Sequence, residues 1–402
     1  MQSSTFVKNV VVFSCLLFLL SCSTEPKEKT PTGPPKNPHF QAFLQTYLHQ
    51  FDSLRQATQT PGASIAIVRD TKVVHLAGYG VKNSYSEDSV DVHTVFRIGS
   101  LSKGFAAVLA GQLVAQQRLK WTDKVRRFVP QFQLKDSAQT QRINLLHVLS
   151  QSTGLPYHAY TNLVEANVDI RTIAQEFRKV NLISKEGEIY AYQNAAFSLI
   201  EPILEEATEQ NLTALFQKQL LDPLGMTATT TDYESLIGAG NLAFPHSNGE
   251  NGWQPRKISQ KYYNAIPAGG INASISDMAQ WLLLLLGNRP DIVDPQTLET
   301  VFQPRINTNN QRRYFHDWPM VETSYYGLGW RILTNATDTL MYHGGYVNGY
   351  RGEILLHPKE KLGICVLANA PTELTNRAVP MFLEVLEGKR DSIRAWEGKR
   401  MR

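Results

Sequence analysis

The chain has 402 residues, of which 42% are hydrophobic, and a formal net charge of only +4. No stripe of lysine and arginine with interleaved aromatic residues accompanies this small positive charge, so we expect no nucleic acid among its partners. The part after the N-terminal segments is about 360 residues long, which is too much for one hydrophobic core, and we expect two lobes that share a cleft.

The N-terminus has the pattern of an export signal. Lys8 is the only charged side chain before an apolar run over residues 10–20, and this run is too short to cross a bilayer as a helix. The pattern predicts a signal peptide over residues 1–21. The run ends in Leu19-Leu-Ser-Cys22, which resembles a bacterial lipoprotein cleavage box and predicts that Cys22 is lipidated; ordinary secretory cleavage nearby is the alternative.

A tether follows the predicted lipid site. Residues 22–38 contain five prolines mixed with lysine and glutamate and almost nothing apolar, so the segment buries too little surface to fold. These features predict a protein held at the bacterial cell envelope, with the membrane as a partner through the lipid anchor. Ser23, rather than an acidic residue, follows Cys22 and favours the periplasmic face of the outer membrane; secretion to the periplasm is the alternative.

Cysteine usage excludes a disulfide framework. Cys15 lies in the signal run and Cys22 is the predicted lipid site, so Cys365 is the only cysteine left in the mature domain and no intrachain disulfide can form. Cys365 lies in the apolar residues 362–367, where we expect it to be buried as a small hydrophobic residue. The folded state therefore depends on packing and hydrogen bonding rather than on covalent links.

Hydrophobic periodicity predicts the elements of the domain in chain order. A helical spacing of apolar residues begins at Phe40 and ends at Leu54, and strands over residues 64–68 and 72–76 follow it. Residues 100–287 are mostly helical in pattern. The last elements are strands over residues 329–333, 339–342, 351–356 and 362–367 and a helix over residues 374–386.

Strands at both ends of the chain, with helices between them, predict an α+β fold. The two ends meet in one antiparallel sheet, which the first and last helices flank, and the middle forms an inserted, mostly helical lobe. The expected limits are residues 39–388 for the whole domain, 39–95 and 325–388 for the α/β lobe, and 96–324 for the helical lobe. Residues 389–402 form a basic C-terminal tail, which we expect to be a solvated helix.

Ser100 and Lys103 form the only Ser-x-x-Lys in the chain. In a helix that begins here they lie one turn apart on the same face, so the Lys103 amine can reach the Ser100 hydroxyl. The helix N-terminus also directs backbone N–H groups toward an oxyanion formed on a substrate. The pair is typical of an activated serine nucleophile. An N-cap serine beside an exposed lysine is the alternative for the pair taken alone.

Tyr192-Gln-Asn194 supplies a second group of polar side chains. The phenol of Tyr192 can take the serine proton and deliver it to the leaving group, and the amide of Asn194 can hydrogen-bond both Lys103 and a substrate carbonyl. Tyr-x-Asn occurs four times in the chain, and the small residues around Tyr192 select this occurrence. Tyr160 and Tyr262 are expected to be core residues.

His343-Gly-Gly345 closes the strand predicted over residues 339–342. The two glycines leave room for a substrate backbone against this edge of the sheet. His343 would then point its ring at the substrate or its leaving group, with a structural histidine as the alternative. Tyr346 follows the glycines and is expected to contribute its backbone N–H.

The three motifs in this order, preceded by Pro61-Gly-Ala63 and Phe96-Arg-Ile-Gly-Ser100, resemble the serine β-lactamase and penicillin-binding-protein superfamily. The similar branch includes class C β-lactamases, DD-peptidases, D-aminopeptidases and esterases. The resemblance extends from about residue 40 to residue 385, through segments such as Asp222-Pro-Leu-Gly-Met226 and Tyr326-Gly-Leu-Gly-Trp330. It implies the same α+β architecture and acyl transfer through a serine ester.

The resemblance also implies a role for each site residue. Ser100 would be the acylated nucleophile, and Lys103 with Tyr192 would form the acid/base network. Asn194 would orient the substrate. The remaining assignments are the third motif at His343 and Gly345 and an oxyanion hole made by the backbone N–H groups of Ser100 and Tyr346.

Two departures from the family pattern bear on the substrate. His343 stands where class C enzymes have lysine, so it would hold a β-lactam carboxylate less strongly, and Arg351 is a candidate to restore some positive charge. Gln193 stands where a small residue is usual and is expected to narrow or reshape the pocket. We expect a hydrolase of small esters or D-amino-acid amides, peptidoglycan fragments included, with weak or no β-lactamase activity. A class C-type β-lactamase and a non-catalytic scaffold are the alternatives.

Motifs for other chemistries are missing from the sequence. It has no Gly-x-Ser-x-Gly elbow, no His-Glu-x-x-His, no phosphate-binding glycine loop and no cysteine pair for zinc. We therefore expect neither a cofactor nor a metal, and a small-molecule or peptidoglycan-derived substrate as the partner.

Overall fold

A computed structural model describes residues 37–308, 314–315 and 318–399. The predicted signal peptide, Cys22 and nearly all of the tether lie outside the described residues. The helices are α1 (Pro38–Ala57), α2 (Ser102–Ala115), α3 (Val125–Phe128), α4 (Ser137–Arg142), α5 (Leu145–Leu149), α6 (Thr161–Glu165), α7 (Ile170–Glu176), α8 (Asn194–Phe197), α9 (Ile200–Thr208), α10 (Leu212–Phe216), α11 (Asp222–Leu224), α12 (Tyr233–Gly238), α13 (Ile266–Gly269), α14 (Ile275–Leu285), α15 (Pro295–Phe302), α16 (Glu373–Glu387) and α17 (Arg390–Gly398).

The strands are β1 (Gly62–Arg69), β2 (Lys72–Gly80), β3 (Val95–Arg97), β4 (His246–Gly249), β5 (Gly252–Pro255), β6 (Asn272–Ser274), β7 (Ile306–Asn307), β8 (Thr323–Tyr326), β9 (Arg331–Thr334), β10 (Thr339–Val347), β11 (Tyr350–His357) and β12 (Leu362–Ala368). Short 3₁₀ turns cover Gly99–Leu101, Phe177–Lys179 and Pro358–Glu360, and a π turn covers Gln217–Leu221.

The main sheet joins the two ends of the chain. Its order is β2-β1-β12-β11-β10-β9-β8-β7, and neighbouring strands are antiparallel. The closing contact is between β1 and β12, where Ala66 lies opposite Cys365. Both strands are apolar and almost wholly buried, as expected for central strands that are covered on both faces. The α+β fold with a sheet built from both chain ends is therefore confirmed.

Helices cover the two faces of this sheet. On one face, α1 packs on α16, with the rings of Phe43 and Tyr47 placed 5.2 and 5.1 Å from the ring of Phe382. The other face carries the helical lobe, where Phe105 of α2 stacks on Trp281 of α14 at 3.9 Å. The packing of α2 in this second core fixes the helix that follows Ser100.

The basic C-terminal segment is docked in its described part. Ile393 of α17 is buried, and its carbonyl accepts a hydrogen bond from Asn37, the N-cap of α1. Arg390 is also buried and forms ion pairs with Asp338 and Glu360. The helix expected here is present, but one of its faces packs against the domain instead of facing solvent.

The middle of the chain contains more strand than its pattern predicts. β3 pairs with β6, and β4 pairs with β5. β7 and the start of β8 lie within the range expected for the helical lobe, yet both extend the main sheet. These strands are two to four residues long, so they carry too little alternation to be recognised from sequence.

Candidate active site

The chain reaches Ser100 through a tight turn. β3 leads into Gly99, whose φ of +54° suits glycine, and a Cβ there would lie 2.9 Å from the backbone nitrogen of Tyr346. Ser102 fixes the turn, because its hydroxyl donates to the Gly99 carbonyl at 2.7 Å and accepts from the Ile271 N–H at 3.2 Å. The helix begins at Ser102 rather than at Ser100, which lies in the 3₁₀ turn and is partly exposed.

Lys103 is completely buried, and its amine lies beside the Ser100 hydroxyl. Its Nζ lies 2.8 Å from Asn194 Oδ1, 2.8 Å from the Ala268 carbonyl oxygen and 3.4 Å from Ser100 Oγ. Burial, followed by the charge of Arg331, lowers the pKa of Lys103 well below its ordinary value. A neutral amine has two N–H groups, which the amide and carbonyl oxygens occupy, so its lone pair is left for the Ser100 hydroxyl.

Tyr192 contacts the same oxygen from the other side. Its hydroxyl donates to Ser100 Oγ at 2.8 Å, and its ring lies 4.7 Å from Lys103 Nζ. Burial raises the pKa of Tyr192 well above the ordinary value, against the opposing effect of the hydrogen bond to Ser100. The phenol is therefore protonated at neutral pH, and Ser100 Oγ lies between a hydrogen-bond donor and a potential proton acceptor.

Asn194 begins α8 and links this pair to a further tyrosine. Its Nδ2 donates to the Tyr262 hydroxyl at 3.2 Å, while its Oδ1 accepts from Lys103. Burial raises the pKa of Tyr262 to about 12, so its hydroxyl stays protonated and can donate to Glu165 at 3.5 Å. Tyr262 is half-buried against the hydrophobic core, as expected, and its hydroxyl in addition hydrogen-bonds a side chain of the candidate site.

Gln193 does not narrow the cleft. Its side chain is 1% exposed and donates to the Pro156 carbonyl, and its backbone N–H donates to Gln151 Oε1 at 2.8 Å. The side chain thus points into the loop over residues 151–156. The prediction that Gln193 narrows the pocket is therefore wrong. Successive side chains of an extended segment face opposite sides, so the Gln193 side chain points away from the cleft that Tyr192 faces.

His343 lies below the surface of the cleft. β10 continues past it to Val347, and the ring is 2% exposed. Nδ1 lies 2.9 Å from the Gly344 carbonyl, which can only accept, so Nδ1 carries the proton and Nε2 accepts from the Tyr326 hydroxyl at 3.0 Å. Burial, followed by the charges of Arg331 and Lys103, lowers the pKa of His343 well below its usual range. The imidazole is neutral and oriented by a tyrosine rather than directed at a substrate.

Gly345 and Tyr346 bring β10 against the Ser100 turn. A Cβ on Gly345 would lie 2.2 Å from the Ile98 carbonyl oxygen and 3.2 Å from the Ser100 nitrogen, so only glycine permits this approach. The turn after β10 has positive φ at Asn348 and Gly349, as in a two-residue type I′ hairpin. Hydrogen-bonded pairs alternate from that turn, so the Tyr346 N–H faces away from β11 and is free to join the Ser100 N–H.

A buried arginine lies behind these residues. Arg331 is 4% exposed, and its guanidinium carbon lies 4.1 Å from the ring centre of Tyr314 and 5.8 Å from that of Tyr192. Its Nε and Nη1 find no hydrogen-bond partner among the described residues. Arg331 could not be recognised as a site residue from the sequence, because nothing in the residue type distinguishes a buried guanidinium from an exposed one.

The described residues contain neither a metal centre nor a bilayer-spanning helix. No three of their histidine, cysteine, aspartate or glutamate side chains are grouped so as to hold a metal ion. None of their helices combines the length and the apolar character needed to cross a membrane. Cys365 is a buried free thiol in β12, and burial raises its pKa well above the ordinary value.

Comparison with known proteins identifies the family. The family model described as Beta-lactamase matches residues 43–383, so the chain belongs to the beta-lactamase family. Protein flp of Staphylococcus aureus (strain COL) is 27% identical over 345 residues, which cover 82% of this chain and 63% of that protein. Unguisins hydrolase ungD' of Aspergillus campestris (strain IBT 28561) is 25% identical over 354 residues, which cover 84% and 65%. The chain thus spans less than two thirds of the length of either relative.

Solved structures show the same fold. The octameric penicillin-binding protein homologue from Pyrococcus abyssi has a TM-score of 0.73 and 24% identity, over 85% of this chain and 77% of that one. EstCE1, a hydrolase with promiscuous acyltransferase activity, has a TM-score of 0.72 and 17% identity, over 87% of this chain and 99% of that one. These likenesses confirm the predicted fold, and the family match confirms the predicted superfamily.

We predict that Tyr262 is a positioning residue that acts through Asn194. Tyr262→Phe leaves the Asn194 Nδ2 without its partner, so kcat/KM for an ester should fall about 3- to 10-fold, as expected for one lost hydrogen bond. The matched control is Tyr160→Phe, because the Tyr160 hydroxyl donates to the Glu176 carbonyl, at 3.1 Å, instead of to a site residue. Equal losses in the two variants, or equal falls in melting temperature, would assign Tyr262 a structural role.

Proposed function

We propose that this chain is a serine hydrolase that works through an acyl-enzyme on Ser100. The observation that carries the proposal is the position of Ser100 Oγ, 2.8 Å from the Tyr192 hydroxyl and 3.4 Å from Lys103 Nζ. Membership of the beta-lactamase family supports it. Two similar proteins are themselves named as hydrolases, which supports the same class.

Acylation follows from the protonation states of the two partners. Ser100 Oγ attacks the substrate carbonyl carbon and gives its proton to the neutral amine of Lys103. The oxyanion that forms lies against the backbone N–H groups of Ser100 and Tyr346, at the N-terminal end of α2. Tyr192 donates its phenolic proton to the leaving group as the carbon–heteroatom bond breaks, and recovers a proton from the Lys103 ammonium.

Deacylation uses the same groups in the reverse direction. A water molecule attacks the ester carbon while Lys103 accepts one of its protons. The bond from carbon to Ser100 Oγ then breaks, and Tyr192 protonates the serine oxygen through the hydrogen bond that it already makes. Transfer of the proton from Lys103 to Tyr192 restores the starting state, so the net reaction consumes one water and releases an acid.

The charge around the third motif supports the substrate class that we propose. Where class C enzymes place a cation, this chain has the buried neutral ring of His343. Arg351 does not replace that cation, because its guanidinium pairs with the buried Glu353 at 2.7 Å. A lost charged hydrogen bond costs about 1.5 to 3 kcal/mol, or roughly 10- to 150-fold in binding. We therefore propose small esters or D-amino-acid amides, peptidoglycan-type peptides included, as substrates, with weak or no β-lactamase activity.

We predict that a fluorophosphonate or penicillin probe labels Ser100. Intact-mass measurement should show one adduct in the wild type and none in Ser100→Ala. Lys103→Ala and Tyr192→Phe should each lower the labelling rate by about 10² to 10⁴, which is the usual contribution of general acid/base groups.

The pH dependence of labelling provides the control for these variants. Lys103 must be deprotonated to accept the serine proton, so the rate should rise with pH and level off well below the pKa of an ordinary lysine. Arg331→Gln should shift this rise to higher pH, whereas Arg331→Lys, which keeps the charge, should shift it less. Labelling of Ser100→Ala, or a rate that does not depend on Lys103, would place the nucleophile or the base elsewhere.

We predict an order of preference among substrates. The purified domain is to be compared on p-nitrophenyl esters, D-alanyl amides, a D-Ala-D-Ala peptide and a chromogenic cephalosporin. The specificity constant for an ester or D-amide should exceed that for the cephalosporin, because His343 offers no charge to a β-lactam carboxylate. A cephalosporin value above every ester and D-amide would instead indicate a class C-type β-lactamase, and no turnover or labelling at all would indicate a scaffold.

We also propose that the protein is lipid-anchored in the bacterial envelope through Cys22. The cleavage-box pattern before Cys22 and the tether after it support this location. Cys22→Ser should leave the precursor uncleaved or release the protein into the soluble fraction, as measured by fractionation and intact mass. A soluble wild-type protein whose mature N-terminus lies elsewhere would contradict the anchor.

A further inference from the structure

A groove of about 790 Å³ opens beside the backbone N–H groups of Ser100 and Tyr346, which we call the oxyanion edge of the site. The hairpin of β4 and β5, the residues that follow it, and the Asn348-Gly349 turn form its walls. Tyr346 lines the groove, and its backbone also meets the Ser100 turn, so one residue belongs to both places. The Tyr346 ring is 57% exposed and, with Trp253 across the groove, provides aromatic surface on the way to the nucleophile.

The groove is positively charged. Its lining contains the exposed side chains of Arg256 and Lys257 and no aspartate or glutamate. Lys261, just beyond it, pairs with Glu165 at 2.8 Å, but no carboxylate in the part of the chain that the structure describes pairs with Arg256 or Lys257. These two cations are therefore available to a ligand.

The histidine in the lining does not add to this charge. His246 accepts from the Ser84 N–H at 3.0 Å through Nε2, and its Nδ1 donates to the Asn369 carbonyl at 3.2 Å. Burial lowers the pKa of His246, so the ring is neutral at pH 7. The electrostatic field of the groove thus comes from the arginine and the lysine.

The walls of the groove are fixed to the catalytic turn. The fully buried Arg97 donates to the carbonyls of Ser259 and Lys261 at 2.8 and 2.6 Å. Arg97 ends β3, directly before the turn that carries Ser100. The Arg256 N–H donates to the Pro245 carbonyl at 2.7 Å, which holds the backbone beside the two cations. The segment is preorganised, as a binding subsite requires.

We propose that this groove is a subsite for an oxyanion, a carboxylate or a phosphate, on a part of the substrate remote from the bond that Ser100 cleaves. The proposal rests on the proposed hydrolase function. Among the described residues at the nucleophile, Lys103, His343 and Arg331 are buried, and none of them is an exposed cation. A negative charge on the substrate is therefore recognised beyond Tyr346, by Arg256 and Lys257, while the scissile carbonyl lies over Ser100.

The test compares anionic substrates with neutral ones of the same size. One series carries a terminal carboxylate or phosphonate on the acyl chain of a p-nitrophenyl ester, and a second carries it on the aryl leaving group. Each series varies the chain length and includes an uncharged isostere. The measured quantity is the ratio of kcat/KM for the anionic ester to kcat/KM for its isostere.

The variants separate the groove from the overall charge of the protein. In Arg256→Glu/Lys257→Glu the ratio should fall by about 10-fold or more, and in Arg256→Gln/Lys257→Gln by about 3-fold, since partly exposed charge pairs are individually weak. Arg126→Glu/Lys218→Glu changes the net charge by the same amount at exposed positions outside the groove and should leave the ratio nearly unchanged. The wild-type ratio should also decline as salt is added.

Two readouts distinguish failure of the subsite from failure of the hydrolase. Labelling of Ser100 by an uncharged fluorophosphonate should be the same in wild type and in all three double variants. Calorimetric binding of uncleavable ether analogues of each anionic and neutral pair, which have no carbonyl for Ser100 to attack, reports on the groove whether or not Ser100 turns over. A wild type that shows no preference for either anion, in rate or in binding, or a preference that survives Arg256→Glu/Lys257→Glu, would overturn the subsite; a larger effect for carboxylate or for phosphonate would identify the anion.

Discussion

The candidate site depends on the burial of the Lys103 amine, which has no acidic partner among the described residues. Taking an ammonium out of water costs several kcal/mol unless a counter-charge compensates, and the contacts found for Nζ are with neutral oxygens. The neutral form of the lysine is therefore favoured. The same burial favours the neutral form of Tyr192. In the proposed mechanism, this one constraint supplies a base and an acid on either side of a single hydroxyl, although both groups in water would be protonated at pH 7.

The second constraint is the close approach of two backbone segments that are far apart in sequence. The turn at Gly99 and the end of β10 at Gly345 meet at distances that no side chain would allow. They can meet because β1 and β12 join the chain ends in one sheet, while α2 holds the Ser100 turn in the core of the other lobe. The oxyanion edge is therefore a product of the whole fold.

Sequence patterns were sufficient for the features that depend on residue type and spacing. The apolar runs predicted the central strands, the flanking helices and the α+β class, and the three motifs predicted which side chains lie around Ser100. The features that were missed depend on direction. The register of β10 decides whether the His343 side chain points into or out of the cleft. The Gln193 side chain points away from the cleft because successive side chains of an extended segment alternate in direction, and this direction cannot be read from a loop sequence. Arg331 was missed because its burial depends on a group of tyrosines gathered from separate segments.

The tyrosines around Arg331 explain how its buried positive charge is tolerated behind Ser100. They are Tyr190, Tyr192, Tyr314 and Tyr326. Arg331 lies against the faces of aromatic rings, which attract a cation through the ring quadrupole. Unlike a carboxylate, these rings carry no net negative charge. A carboxylate in the same place would pair with Arg331, cancel its effect on Lys103 and favour the ammonium form. His343, hydrogen-bonded to Tyr326 within the same layer, is neutral chiefly because it is buried, and the charge of Arg331 lowers its pKa further. Under the proposed function, the burial that keeps Lys103 basic also leaves His343 uncharged, so neither residue offers an exposed cation to a β-lactam carboxylate.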